Sequence, residues 1–217
     1  MDERHNTTFP AGFFSRTDET DDAEFYAFDR LVTHIDDGAI AAVGALYDEL
    51  NFSGLSDPSS GPVLDICSSW ISHFLIKPER LVVTGMNAAE LAANEMADER
   101  HVRNLNVDPT LPFDDATFAA VTCCVSVDYL TKPLDVFAEA ARVLRPGGVF
   151  VCTFSNRCFP TKVIRGWLHT DDRGRCRIVE TYFDMTAGFD EPTTQLRNPK
   201  ASGDPLFAVW AQSVVAI

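Results

Sequence analysis

The 217 residues, 46% of them hydrophobic, suffice to bury one substantial core, and division into two full domains would leave both thin. The balance of 32 acidic against 18 basic side chains gives a formal charge of -14 with the basic residues scattered, which argues against a nucleic-acid backbone or an anionic membrane as partner. No apolar run reaches the ~20 residues of a membrane span and MDERHNTTFP lacks the features of a signal peptide, so a cytoplasmic protein is expected.

Residues 1–22 are acidic with little apolar periodicity and read as a flexible lead-in or a loosely docked arm. Helical spacing then begins, with Phe25, Phe28, Leu31, Val32 and Ile35 predicting one helix and Ile40, Val43, Leu46, Tyr47 and Leu50 a second. The loop SGLSDPSSGP leads into a first strand at Val63 to Ile66. Further short apolar runs follow at LVVTG from Leu81, at Val102 to Val107, at FAAVTCCVSV from Phe118 and at GVFVCTF from Gly148. Their alternation with helix-like stretches predicts βαβ units and a parallel sheet. The best helix is Leu134 to Leu144, stopped by Pro146-Gly147-Gly148. A helical CRIVETYFDMTAGF, a strand-like TTQLR, a loop NPKASGDP and a last strand LFAVWAQSVV predict a closing antiparallel hairpin. The domain plan is therefore one domain over 23–217: helices at 23–60, a ligand-binding half at 61–156, and a lid with the hairpin at 157–217. The six cysteines show no CxxC pairing and three sit in apolar strand-like runs, so neither disulfides nor a metal site is expected.

Ligands of an open parallel sheet bind beyond the carboxyl ends of its strands. Those ends read Asp65-Ile66-Cys67-Ser68-Ser69-Trp70, Gly85-Met86-Asn87, Asn104-Leu105-Asn106, Val125-Ser126-Val127-Asp128-Tyr129 and Phe154-Ser155-Asn156-Arg157. Polar residues at one strand end are ordinary turn or cap chemistry, whereas their recurrence at successive ends favours a site.

The strings VLDICSS, LPFDDATFAAVTCCVSVDYL, VFAEAARVLRPGGVFVCTFSN and TAGF, in this order over roughly Val63 to Phe189, resemble the class I S-adenosylmethionine-dependent methyltransferases of type 11. RLVTHIDDGAI, VLDICSSWISHF, TGMNAAELAANE and FSNRCFPTKVI extend the resemblance, from about Phe25 to Trp210, to a branch of methyltransferase-like proteins of bacteria and plants. The resemblance implies an α/β fold with a Rossmann-like seven-stranded sheet, mostly parallel with a C-terminal antiparallel hairpin and helices on both faces. It also implies S-adenosylmethionine as cofactor and methyl transfer to a small-molecule acceptor, with no oligomeric state specified. Carried over by position, Asp65 orients the amino-acid end, Asn87 the ribose, and Asn104 and Leu105 the adenine, while Cys124 and Val125 line the sulfonium. Cys67, Ser68, Ser69 and Met86 complete the cofactor set, with Arg30 and His34 facing the cofactor carboxylate or a substrate acid. The family's DxGxGxG loop is replaced by Cys67, Ser69 and Ile71, and its acids after strands two and three by Asn87 and Asn104, neutral acceptors that bind more weakly. These departures keep two alternatives open: a non-methylating use of the same cofactor, or a non-catalytic metabolite-binding domain.

Methyl transfer from a sulfonium needs alignment first and a base only when the acceptor must lose a proton. The catalytic or substrate-contact candidates are His73 on the first turn after strand one, Tyr129 after strand four, and Asn156 and Arg157 after strand five. Each has a plain structural alternative: a capping histidine, an aromatic packed on the strand end, a turn amide, a surface ion pair. Residues 159–184, with Trp167, Arg173, Arg175 and Arg177, are expected to form a lid or substrate wall.

Overall fold

The apolar runs VLDI, LVVTG and FAAVTCC form strands β1 (Val63–Ile66), β2 (Leu81–Gly85) and β4 (Phe118–Cys124), with β3 (Glu99–Val102) at one edge. β1 and β2 are buried along their whole length, as expected for parallel strands covered on both faces. The computed structural model describes residues 9–53, 61–199 and 202–214. Residues 1–8, most of the Ser/Pro/Gly loop before Val63, Lys200 and Ala201 of the NPKASGDP loop, and residue 215 of the predicted last strand lie outside the described residues.

The seven strands run in the order β3-β2-β1-β4-β5-β7-β6, where β5 is Leu144–Phe154, β6 Thr193–Leu196 and β7 Phe207–Gln212. Pairing is parallel from β3 through to β5 and antiparallel for β5 with β7 and β6 with β7, which is the predicted sheet and hairpin. Val63 pairs with both Leu81 and Ala120, so the order reverses at β1 and a crevice opens above β1 and β4. The Arg145 to Gly148 segment bulges from the β4/β5 ladder, with Gly147 at φ +79.

Side chains on the two faces of the sheet enter two apolar clusters. On one face Ile66, Val121 and Phe150 meet helices α4 (Pro133–Val143) and α6 (Asp172–Met185) through Phe137, Val179 and Phe183. On the other face Val63, Val83 and Val151 meet helix α2 (Asp37–Glu49) through Val43, Leu46 and Tyr47. α4 begins with Pro133 at its first turn and buries Val136, Phe137, Ala140 and Val143 at helical spacing. Full burial of one such large apolar side chain contributes about 1.5–3 kcal/mol.

Five expectations change. The helix predicted over Phe25 to Ile35 is reduced to α1 (Asp22–Phe25), and residues 26–36 run irregularly across the strand ends. The carbonyls this frees are satisfied by side chains: Asn87 donates to Tyr26 O at 3.1 Å, Arg30 to Phe25 O at 2.6 Å and Trp70 to Val32 O at 3.1 Å. β3 ends at Val102 because Asn104 turns the chain, its side chain accepting from Asn106 N at 3.0 Å. No helix follows β1 directly; the next is α3 (Ala88–Ala93), after β2. The predicted lid at 159–184 is mostly core, since Trp167 is 1% exposed against Phe154 and α6 buries Tyr182 and Phe183.

Residues 9–22 are packed rather than loosely docked. Phe13 lies on Gly166, where a Cβ would sit 2.3 Å from the ring, and Phe9 and Phe14 face Tyr182 at 5.7 and 6.3 Å. Backbone bonds from Arg165 N to Ser15 O (2.8 Å) and from Asp18 N to Thr161 O (2.9 Å) fix the segment beside short helix α5 (Arg165–Leu168).

Candidate functional site

A cavity of about 890 Å³, open mouth included, lies over the carboxyl ends of β1 to β4. Its inner wall is set by backbone geometry. After β1 the chain turns at Cys67 with φ +54, the left-handed conformation that favours glycine, here held by a cysteine. The turn brings Ser68 N to Thr84 O at 2.7 Å and lays Ser68 O against Gly85, where a Cβ would stand 2.2 Å away. Gly85 is therefore required by close approach. After β4, Val125 has φ +46, a conformation that costs a β-branched residue on the order of 1–3 kcal/mol.

Asp65 holds this turn together. Its buried carboxylate accepts from Ser68 Oγ (2.7 Å), Ser72 Oγ (2.8 Å) and Thr122 Oγ1 (2.7 Å). Burial pushes its pKa above the ordinary value, and the three hydroxyls partly offset that. Ser69 and the strap at 26–36 are tied to Glu90, which the sequence reading passed over. Its carboxylate accepts from Ser69 Oγ at 2.6 Å and from Arg30 N at 2.7 Å.

Of the sequence-derived cofactor residues, Arg30, His34, Cys67, Ser68, Ser69, Met86, Asn87, Asn104, Leu105 and Val125 all line the large cavity. Asn87 differs from expectation in its bonding: its Oδ1 caps α3, accepting from Ala89 N and Glu90 N at 2.8 and 3.0 Å. Its Nδ2 donates to Tyr26 O and to Asp29 Oδ1 at 2.9 Å, so the carbonyl expected to accept from a ribose is already committed to the helix. Asp65 and Cys124 face a smaller neighbouring cavity with His73 and Tyr47, in which Tyr47 Oη and His73 Nδ1 are buried without a partner among the described residues. Burial lowers the His73 pKa and raises that of Cys124 to about 12. The Cys67 thiol is pushed up by its contact with the Cys123 thiol and by burial, so it is not an activated nucleophile.

The outer wall is built from sequence-distant charges and rings. Asp22, 5% exposed, meets Arg16 Nη1 at 2.6 Å, Lys162 Nζ at 3.3 Å and Asn106 Nδ2 at 3.0 Å. Lys162 is 1% exposed and also donates to Thr20 O at 2.7 Å. The Arg30 guanidinium lies 4.5, 5.6 and 5.8 Å from the ring centres of Phe25, Tyr26 and Phe159. None of Asp22, Tyr26, Asn106, Phe159 or Lys162 was given a site role from the sequence, although Asn106 stands at a strand end and Phe159 and Lys162 lie within the string FSNRCFPTKVI.

The four catalytic candidates separate. Tyr129 lines the large cavity and its hydroxyl accepts from Phe159 N at 2.7 Å; burial raises its pKa. His73 sits on a loop, not on a helix, in the smaller cavity. Asn156 is exposed and lines none of these cavities, because β5 ends at Phe154 and the chain turns outward. Arg157 lines a third cavity with His34, Val125, Tyr129, Cys158 and Phe159. The His34 imidazole is held below its ordinary pKa by partial desolvation first, with Glu90 opposing and Arg30 reinforcing. Its neutral form therefore dominates at pH 7.

Residues 66–152 match a family described as Methyltransferase domain. A demethylmenaquinone methyltransferase of Clavibacter sepedonicus is 36% identical over 80 residues, 36% of this chain; the match spans about a third (32%) of that relative. Among solved structures, a SAM-dependent methyltransferase from Aquifex aeolicus superposes with a TM-score of 0.54 at 15% identity, covering 82% of this chain and 95% of that one. Geranyl diphosphate C-methyltransferase from Streptomyces coelicolor, solved with Mg2+, geranyl diphosphate and S-adenosyl-L-homocysteine, does so at 0.54 and 14% identity, over 88% and 92%. These two likenesses are likenesses of fold.

Proposed function

Since the chain carries a class I S-adenosylmethionine-dependent methyltransferase domain, we propose that it transfers a methyl group to a small-molecule acceptor in the cytoplasm. The observation that carries this reading is the left-handed turn at Cys67 against Gly85. A left-handed residue there is what a glycine would supply, and its presence although the loop's glycines have been replaced supports close backbone approach to a ligand. In this reading Met86, Asn104 and Leu105 hold the adenosine, while Ser68, Ser69, Tyr47 and His73 face the amino-acid end. Bound there, S-adenosylmethionine would supply an electrophilic methyl on a sulfonium. The chain's own part is alignment: Val125, lining all three cavities, separates cofactor from acceptor, and the strap at 26–36 with Phe159 excludes water. Neutral His34, on the rim of the same three cavities, is available to take a proton from an acidic acceptor.

A second reading, metabolite binding without turnover, is favoured by the committed side chain of Asn87. Calorimetric titration followed by incubation with acceptors separates the two. S-adenosylmethionine and S-adenosylhomocysteine are both expected to bind with micromolar constants, and incubation with candidate acceptors to give a methyl mass gain. Absence of heat for both ligands in a folded sample would sink the proposal; binding without methyl gain across the acceptors supports the second reading.

A further inference from the structure

The third cavity, about 550 Å³ with its open side, is reached from the ends of β4 and β5 and shares Val125 and His34 with the cofactor cavity. Three of its walls are flat rings. His34 and Phe159 stand edge to face at 5.3 Å, and Tyr129 lies 5.9 Å from Phe159. Such walls favour a planar, π-bearing guest.

Arg157 stands at the rim and is held at one edge only. Its Nε donates to Asp204 Oδ1 at 2.8 Å, the Asp36 carboxylate adds a second, electrostatic contact, and no described residue hydrogen-bonds its two terminal amino groups. Asp204 is not a loose surface acid. At 8% exposure, its Oδ2 accepts from Asp36 N at 3.0 Å, its own N donates to Asp36 Oδ2 at 2.7 Å, and its carbonyl accepts from Asn198 at 2.8 Å. Asp36 in turn caps α2 through Ala39 N. The guanidinium is thereby fixed on a frame while its remaining edge has the fork geometry that matches a carboxylate. By contrast, Arg16, Arg30 and Lys162 in the neighbouring cavity spend their donors on Asp22, Glu19, Phe25 O, Phe28 O, Asp18 and Thr20. In a chain of charge -14, an anion needs such a local cation to dock.

We propose that this cavity takes a phenolic aromatic carboxylic acid as the methyl acceptor, with Arg157 as its anion clamp and Asp204 as the residue that positions Arg157. The phenolic oxygen would form the new C–O bond as the sulfonium C–S bond breaks, S-adenosylhomocysteine leaving and the phenolic proton passing to neutral His34. The proposal rests on the methyl-transfer reading above, and a direct binding measurement keeps the two apart. The probes are 4-hydroxybenzoate, its neutral amide 4-hydroxybenzamide, and 4-hydroxycyclohexanecarboxylate, each titrated calorimetrically with and without saturating S-adenosylhomocysteine. The benzoate is expected to bind at least ~10-fold more tightly than either analogue. Arg157→Gln is expected to lose at least ~10-fold for the benzoate and to abolish its advantage over the amide, with S-adenosylhomocysteine affinity unchanged. Asp204→Asn should weaken benzoate binding by a smaller factor, and Asp204→Glu should restore part of it, which a merely structural role for Asp204 would not produce. Equal binding of acid and amide, no binding of the acid, or an Arg157→Gln protein that binds it normally each overturns the proposal. A failure of the cofactor reading shows separately, as absent S-adenosylhomocysteine heat, while the probe titrations without it still decide this question.

Discussion

The two walls of the large cavity are made differently. The inner wall is backbone: the turn at Cys67, the bare Cα of Gly85 and the kink at Val125 all lie within three residues of a strand end. The outer wall is side chain: Asp22 reaches Asn106 across 84 positions, and Lys162 reaches Thr20 across 142. A backbone wall has no way to relax around an added atom, because moving it moves the sheet. A side-chain wall can open and leave the sheet intact. The comparison predicts that damage to the inner wall removes stability and cofactor binding together, whereas damage to the outer wall separates them.

The largest effect is expected at Gly85. An alanine there places its Cβ 2.2 Å from Ser68 O, a backbone atom of the turn, so either the turn or β2 must shift. Gly85→Ala should cost about 4 kcal/mol in urea unfolding and weaken S-adenosylhomocysteine by at least tenfold. A variant that unfolds like wild type and binds normally would show that the approach of Ser68 to β2 does not shape the site.

A smaller loss, and a different pattern, is expected at Lys162. Its removal leaves Asp22 paired with Arg16 and Asn106 alone, and leaves Thr20 O without its donor. Lys162→Ala should cost roughly 2–3 kcal/mol, less than a fully orphaned buried charge because Arg16 remains. Trypsin should then cut after Arg16, whose side chain is 8% exposed in the intact protein, while S-adenosylhomocysteine affinity falls only a few-fold. Resistance to trypsin in the variant would mean that Phe9, Phe13 and Phe14 anchor the segment without the charges. A tenfold loss of binding would erase the distinction between the walls.

The same difference explains what could be read from the sequence. Strand runs such as VLDI and LVVTG announce themselves through continuous apolar composition, so the parallel sheet, the hairpin and the residues at each strand end were legible. Phe28, Leu31 and Val32 have helical spacing but are 78, 54 and 58% exposed, because periodicity records only that apolar residues recur and not whether a surface receives them. Glu90 and Lys162 fall within the strings TGMNAAELAANE and FSNRCFPTKVI, yet their roles were missed for the opposite reason. Their partners are fixed by the fold, so no local pattern states what they bind. Asn87 was read correctly as a strand-end residue, but a cap and a ligand contact use the same side-chain chemistry and only the observed bonds distinguish them.

The smallest effect is expected where the two walls meet. Asp128 follows β4, is 3% exposed, and its backbone carbonyl accepts from Ile164 N of the outer wall at 3.1 Å. Burial pushes its carboxyl up from 3.8 to about 8, against its own backbone N–H and the Arg175 guanidinium, which both favour the anion. The folded protein therefore keeps a proton that the unfolded chain has released between about pH 4 and pH 8. With fewer protons on the unfolded state in that window, stability falls as pH rises, at no more than about 1.4 kcal/mol per pH unit, and levels off above the folded value. His34 and His73, whose pKa values are lowered from 6.5, contribute with the opposite sign at the acid end of the window. They cancel in a comparison with Asp128→Asn, which keeps the side chain's shape and removes its titration. From pH 6 to pH 8 the wild type should lose roughly 2 kcal/mol relative to the variant in urea melts. Parallel stability curves would mean that Asp128 is ionised in the folded protein, with water reaching the seam and the outer wall standing further from β4 than its contacts indicate.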